Sequence, residues 1–170
     1  MNLDIRDMTL DETAMVIDYF YSSTVEQLDL MGIDPTRMPT RPVWSHLFKS
    51  LYETPVAERA VLMVVWQLDG RPIGFSSCDR IVRGSHANMH LHVTAPELRG
   101  RGLGTACVSR SVDLYVERLE LKRLFCEPHA YNTAPNRALQ KAGFRYVKTY
   151  KTVPGPMNYH QAVTRWMIER

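Results

Sequence analysis

Residues 99–105 read Arg-Gly-Arg-Gly-Leu-Gly-Thr, and they divide a strand-like segment, Asn88 to Thr94, from a helix-like one, Leu103 to Glu117. Strand, glycine-rich loop and helix in that order is a layout for holding phosphate. The N–H groups at a helix start, with the positive end of the helix dipole, attract anions. Glycine has no Cβ, so the main chain can come close to a ligand. Arg99 and Arg101 add charge that is not lost near neutral pH. The helix that follows carries Cys107, Val108, Val112 and Tyr115 on one face.

What precedes this loop reads as an antiparallel meander. Leu3 to Arg6 alternates as a short strand, and Thr9-Leu-Asp-Glu12 reads as a capping box opening a helix to about Ser22, with Met15, Val16, Tyr19 and Phe20 inward. Thr24 to Thr54 reads as two helical pieces, divided at Gly32-Ile-Asp-Pro35 and by Pro39 and Pro42, which would stop a helix. In the second piece Trp44, Leu47, Phe48 and Leu51 recur at helical spacing. Ala60 to Leu68 and Pro72 to Ile81 are strands joined by Asp69-Gly70, and Arg83-Gly-Ser85 turns the chain into the strand at Asn88. After the loop and its helix come a strand at Arg123 to Glu127 and a helix from Ala134 to Lys141, ended by Gly143. Phe144 to Thr152, a turn at Pro154-Gly-Pro156, and Ala162 to Ile168 complete the series. The chain is predicted to be one α+β domain over residues 1–170, with a mixed, mostly antiparallel sheet of six to seven strands flanked by helices.

Composition narrows the partners. With 170 residues, 45% hydrophobic and 23% charged, the chain can bury a sizeable core. The net charge of +3 is spread through mixed signs, which excludes an electrostatic nucleic-acid footprint. The three cysteines, Cys78, Cys107 and Cys126, lie in apolar stretches without metal-type spacing, as expected of buried thiols in a cytoplasmic protein. No signal-like segment and no run near the roughly 20 apolar residues of a membrane span is present.

Among phosphate loops, the alternate spacing of Gly100, Gly102 and Gly104 does not meet the dinucleotide fingerprint, and no Gly-Lys-Ser/Thr follows. Arg-x-x-Gly-x-Gly is met by Arg99, Gly102 and Gly104. With Asn132 and, eleven residues later, Gly143-Phe144, this resembles the GNAT (GCN5-related N-acetyltransferase) superfamily. The likeness is sharp over residues 91–147 and loose before residue 58. It implies an N-acetyltransferase that takes acetyl-CoA as co-substrate, needs no metal, and transfers acetyl directly to a primary amine. It also implies that main-chain groups of Arg101, Gly102, Leu103, Gly104 and Thr105 hold the pyrophosphate. Leu91 and Val93 would pair with the pantetheine amides, Asn132 would bond the pantetheine arm, and Asn136 or Arg137 would reach the nucleotide. The side chain of Asn132 has an equally good alternative in capping the helix after it.

Many relatives carry the acid for the departing thiolate as a tyrosine four residues before the Gly-Phe pair. That position here is Leu139, so Tyr131, Tyr146 or a water is left to protonate the sulfur. For the base, Asn88-Met-His90-Leu-His92 puts both imidazoles on one face of the strand that the resemblance places beside the thioester. His90 is favoured over His92, with a bulge in that strand expected to decide the side. Other readings are packed sheet histidines, or zinc held by the pair with Glu127 or His129.

The acceptor would enter across residues 20–45 and the closing hairpin, past Glu26, Asp29, Asp34, Trp44, Tyr159 and Trp166. Its identity stays open among a small amine, an antibiotic, an amino acid and a protein terminus. A non-catalytic acyl-CoA-binding module is the alternative function, and a metal-dependent hydrolase a more distant one. The apolar closing strand, Ala162 to Ile168, offers an edge through which a homodimer could pair.

Overall fold

The structure, a computed structural model, describes every residue except Arg99. Seven strands form one sheet among the described residues: β1 (Leu3–Asp7), β2 (Leu62–Leu68), β3 (Arg71–Val82), β4 (His86–Val93), β5 (Arg123–Cys126), β6 (Arg145–Thr152) and β7 (Gln161–Glu169). Their spatial order is β1-β2-β3-β4-β5-β7-β6. Only the β4–β5 pair is parallel, its crossover being α4 (Leu103–Leu119). The remaining helices are α1 (Thr13–Ser22), α2 (Val25–Leu30), α3 (Arg41–Glu53) and α5 (Thr133–Lys141).

Both faces of the sheet are covered, which explains the unbroken apolar run in β2. Val64 and Trp66 point toward α4 and α5, where they join Tyr115, Leu119, Leu124 and Leu139. Met63 and Val65 point the other way, into a second core with Phe20, Trp44, Phe48 and Phe75 beneath α1 and α3. The second core bounds the cleft described below.

Two local expectations change. The Glu12 carboxylate does accept the Thr9 N–H at 2.8 Å, but it also pairs with Arg6 at 2.6 Å, and the helix starts only at Thr13. A complete capping box sits instead at α2, where Thr24 and Gln27 exchange bonds of 3.1 and 2.9 Å. Pro42 does not break a helix. It lies in the first turn of α3, where its missing N–H costs nothing.

The largest correction concerns β7. It lies between β5 and β6, paired on both sides, and so offers no edge for a second copy. Its apolar sequence is that of an interior strand. The polar β6, Arg-Tyr-Val-Lys-Thr-Tyr-Lys-Thr, takes the edge beside it.

Candidate active site

Gly100 and Gly102 adopt φ of +79° and +76°, in the left-handed region, and Gly102 is the N-cap of α4 without a side-chain cap. A Cβ at either glycine would meet nothing within 4 Å, so the loop holds open a cradle in front of the helix. Ala106 donates to Gly102 O at 3.2 Å, and the N–H groups of Leu103, Gly104 and Thr105 precede the first intrahelical bond. Arg101 is exposed beside them. Arg99, expected to belong to this loop, lies outside the described residues.

Near the cradle, where a Cβ on Gly104 would lie 4.0 Å from Val93, the sheet has a gap. β5 ends at Cys126, opposite Met89, while β4 continues to Val93. The Thr94 N–H donates to Ile73 O at 2.9 Å, so alternation turns the main-chain groups of Leu91 and Val93 away from β3 and into the gap. On the other side, Ser76 Oγ donates to His90 O at 2.6 Å and accepts from Tyr115 Oη at 3.1 Å, which fixes the strand at His90 from inside the core.

A cleft of about 410 Å³ continues from the gap over the α1–α3 face. His90 and His92 both line it, as alternation predicted, but in different surroundings. The His92 ring stacks on Phe75 at 4.9 Å and meets the edges of Phe20 and Tyr19 at 5.2 and 5.3 Å. Burial, followed by the nearby charge of His90, pushes its pKa down to about 3, and it is neutral. His90 is half exposed, with Nε2 3.1 Å from Asp79 Oδ2. That is ion-pair distance, but out of line for a hydrogen bond, and the buried Oδ1 of Asp79 has no partner among the described residues. Burial pushes the Asp79 carboxyl up, while His90 and then Arg80 outweigh it and hold the carboxyl below its usual range.

Asp79 escaped the sequence reading, although it is the one acidic residue of β3. The expected bulge is also displaced: it lies in β3 between Asp79 and Val82, at Arg80 with φ +48°, and not in β4. Glu127 lines the cleft too, but its carboxylate accepts from Arg165 at 2.7 Å and from Tyr150. With Glu127 so engaged and His92 enclosed, the zinc set does not assemble, and among the described residues no three His, Cys, Asp or Glu converge on a metal position.

Asn132 also lines the cleft, and its side chain makes no capping bond to α5. Asn136 spends both ends of its amide internally, donating to Asn132 O at 2.7 Å and accepting from Trp166 Nε1 at 2.7 Å. Arg137 is exposed. Tyr131 is 78% exposed and Tyr146 57%, and neither lines the cleft. Leu139 is fully buried in the core. Burial also pushes the thiols of Cys107 and Cys126 up to about 12 and that of Cys78 higher still, so none is a ready nucleophile.

A roof closes the far side. The segment after α2 and the β6–β7 connection are joined by Asp34 N–H to Met157 O at 2.8 Å, Asn158 Nδ2 to Gly32 O at 2.9 Å and Gln161 Nε2 to Gly32 O at 2.8 Å. Tyr159 Oη adds a bond to Asp29 O at 2.9 Å.

Residues 30–144 match the model of the acetyltransferase (GNAT) family. The chain is 25% identical over 181 residues to an aminoglycoside N(6')-acetyltransferase type 1 of Klebsiella pneumoniae, covering 99% of this chain and 86% of that one. Among solved structures it is similar to aminoglycoside acetyltransferase AAC(6')-Ib in complex with ribostamycin and coenzyme A, with TM-score 0.76, 19% identity, and 100% and 94% of the two chains covered. It is similar also to the ribosomal-protein-S5-alanine acetyltransferase of Vibrio fischeri, with TM-score 0.77, 15% identity and coverage of 99% and 93%. A glycine cradle at a helix start, a gap between two parallel strands and a covered cleft beyond it are thus found in a chain that belongs to the acetyltransferase (GNAT) family.

Proposed function

We propose that this protein is an acetyl-CoA-dependent N-acetyltransferase that acts on a small primary amine, with His90 as the base. The reading is carried by a left-handed glycine loop at the start of α4, next to a strand, β4, that leaves β5 and lines the cleft at His90. The left-handed glycines and the space before them fit a pyrophosphate on the α4 N-terminus. Arg101, Gly102, Leu103, Gly104 and Thr105 would hold it, Leu91 and Val93 would meet the pantetheine amides, and Asn132 the arm. Arg137 reaches the nucleotide end in preference to Asn136, whose amide is already engaged.

Acetyl-CoA supplies the acetyl group as an activated thioester. The protein must take a proton from the acceptor ammonium, and a positioned imidazole does this near neutral pH. Asp79, 3.1 Å from Nε2, offsets the charge the ring gains. His92, held neutral among aromatic rings, packs the cleft wall. Tyr131 lies outside the cleft, so proton return to the sulfur falls to water.

Calorimetric titration with acetyl-CoA, on the parent and on Gly102→Trp, tests the cofactor half. The parent is expected to bind and the variant to lose at least about tenfold in affinity, since a side chain there is strained and fills the cradle. A parent that does not bind millimolar acetyl-CoA, or a variant that binds equally well, would end this reading.

A further inference from the structure

The Klebsiella pneumoniae relative is an acetyltransferase of aminoglycosides, which carry several ammonium groups. The cleft of this chain has the opposite character. Among the described residues that line it, only Asp79 and Glu127 are carboxylates. Glu127 is already answered by Arg165 at 2.7 Å. Arg80 brings a cation to the same cleft, its guanidinium donating to Pro154 O at 2.7 Å. One carboxylate is therefore left to receive a cation, and Asp79 presents a buried Oδ1 that has no partner among the described residues. A buried oxygen of this kind costs free energy until a donor reaches it.

The rest of the wall is apolar and rich in rings. Phe20 lies 5.4 Å from Trp44 and 6.4 Å from Phe75, and Met31 and Met157 pack against the same group. All five line the cleft together with Asp79. A polycation placed here would leave ammonium groups against aromatic and thioether surface with no acid to meet them, and it would face Arg80. The acidic residues of the roof are occupied as well: Asp34 accepts from the Thr36 N–H and hydroxyl, and Asp29 from Tyr159.

We infer that the acceptor is a small molecule with one primary amine on an apolar, ring-sized body. Its ammonium sits at Asp79 and His90, and its body lies among Phe20, Trp44, Phe75, Met31 and Met157. The volume of about 410 Å³ beneath a hydrogen-bonded roof suits a small molecule better than a folded protein surface. This assignment rests on the acetyltransferase reading above and names the substrate class for that site. The balance is simple: a C–N bond forms and the thioester C–S bond breaks; of the two protons the nitrogen loses, the first goes from the ammonium to His90, and the second, released as the tetrahedral adduct collapses, reaches the thiolate through water.

The test compares kcat/KM of the parent enzyme for 2-phenylethylamine, kanamycin and a tripeptide with a free N-terminus, at saturating acetyl-CoA. Thiol release gives the rate and mass spectrometry the product. Phenylethylamine is expected to exceed each of the others by at least about tenfold, the discrimination an apolar pocket can provide. Asp79→Asn should lower the phenylethylamine value at least about tenfold with acetyl-CoA affinity unchanged. Preference for kanamycin or for the tripeptide overturns this assignment and leaves the acetyltransferase reading standing. So does inertness of phenylethylamine in a protein that binds acetyl-CoA. Failure to bind acetyl-CoA takes both down.

Discussion

His90 and His92 stand two residues apart on one face of β4 and do different work, because what surrounds each ring differs. His90→Ala is expected to lower kcat/KM by about 10²- to 10⁴-fold, the usual contribution of a positioned acid–base group, with little change in acetyl-CoA affinity. His92→Phe keeps a ring on Phe75 and should retain most of the rate. Steady-state kinetics at saturating acetyl-CoA separates them: kcat should collapse in His90→Ala and persist in His92→Phe. The opposite pattern would move the base to His92. Alternation alone placed both rings on the cleft face, and that much was legible. The three rings around His92 come from α1 and β3 and could not be read locally. Asp79 was hidden for a related reason. Its approach to His90 depends on hairpin register, which the extra residue at Arg80 shifts.

Elements with long periodic stretches were legible: α3, α4, β2 and β3 fall within a few residues of where the pattern put them. Their ends were less so, because capping depends on which of several polar side chains finds the helix. Thr24-Val-Glu-Gln27 and Thr9-Leu-Asp-Glu12 look alike on paper, but at Thr9 only half of the box forms: Glu12 accepts the Thr9 N–H, while its own N–H goes to Thr9 O and not to the hydroxyl. The roof was the least legible element, being built from bonds between residues more than a hundred positions apart. Gly32 is its keystone. Its φ is +71°, and an added Cβ would lie 2.0 Å from Gln161 Oε1. Gly32→Ala is therefore expected to cost about 1–3 kcal/mol of stability and to raise the acceptor KM, while acetyl-CoA binding stays as in the parent. Denaturant unfolding with calorimetry checks both halves. A change in cofactor affinity equal to that in acceptor KM would show that the roof does not act locally.

At the scale of the molecule, His92 ties stability to pH. Its pKa falls from 6.5 to about 3 on folding, so below pH 6.5 the unfolded chain takes up a proton that the folded one refuses. This contribution is complete above about pH 6.5 and is lost as pH falls toward 3, by up to about 1.4 kcal/mol per pH unit. Urea midpoints for the parent should decline across that window, and those for His92→Phe should decline less. Parallel curves would show that the ring is not held neutral. The overall architecture was legible once the glycine loop was read as the point where an antiparallel meander gives way to a parallel crossover. The place of the closing strand was not, since hydrophobicity marks a strand as buried without saying which neighbours bury it. That place has a consequence for how the chain is made. β7 follows every other strand in the sequence yet sits inside the sheet, so a ribosome must deliver residues 161–169 before the sheet can close. Until then β5 and β6 wait apart, and a chain interrupted near residue 160 would lack a central stave of the sheet, not a trimmed margin.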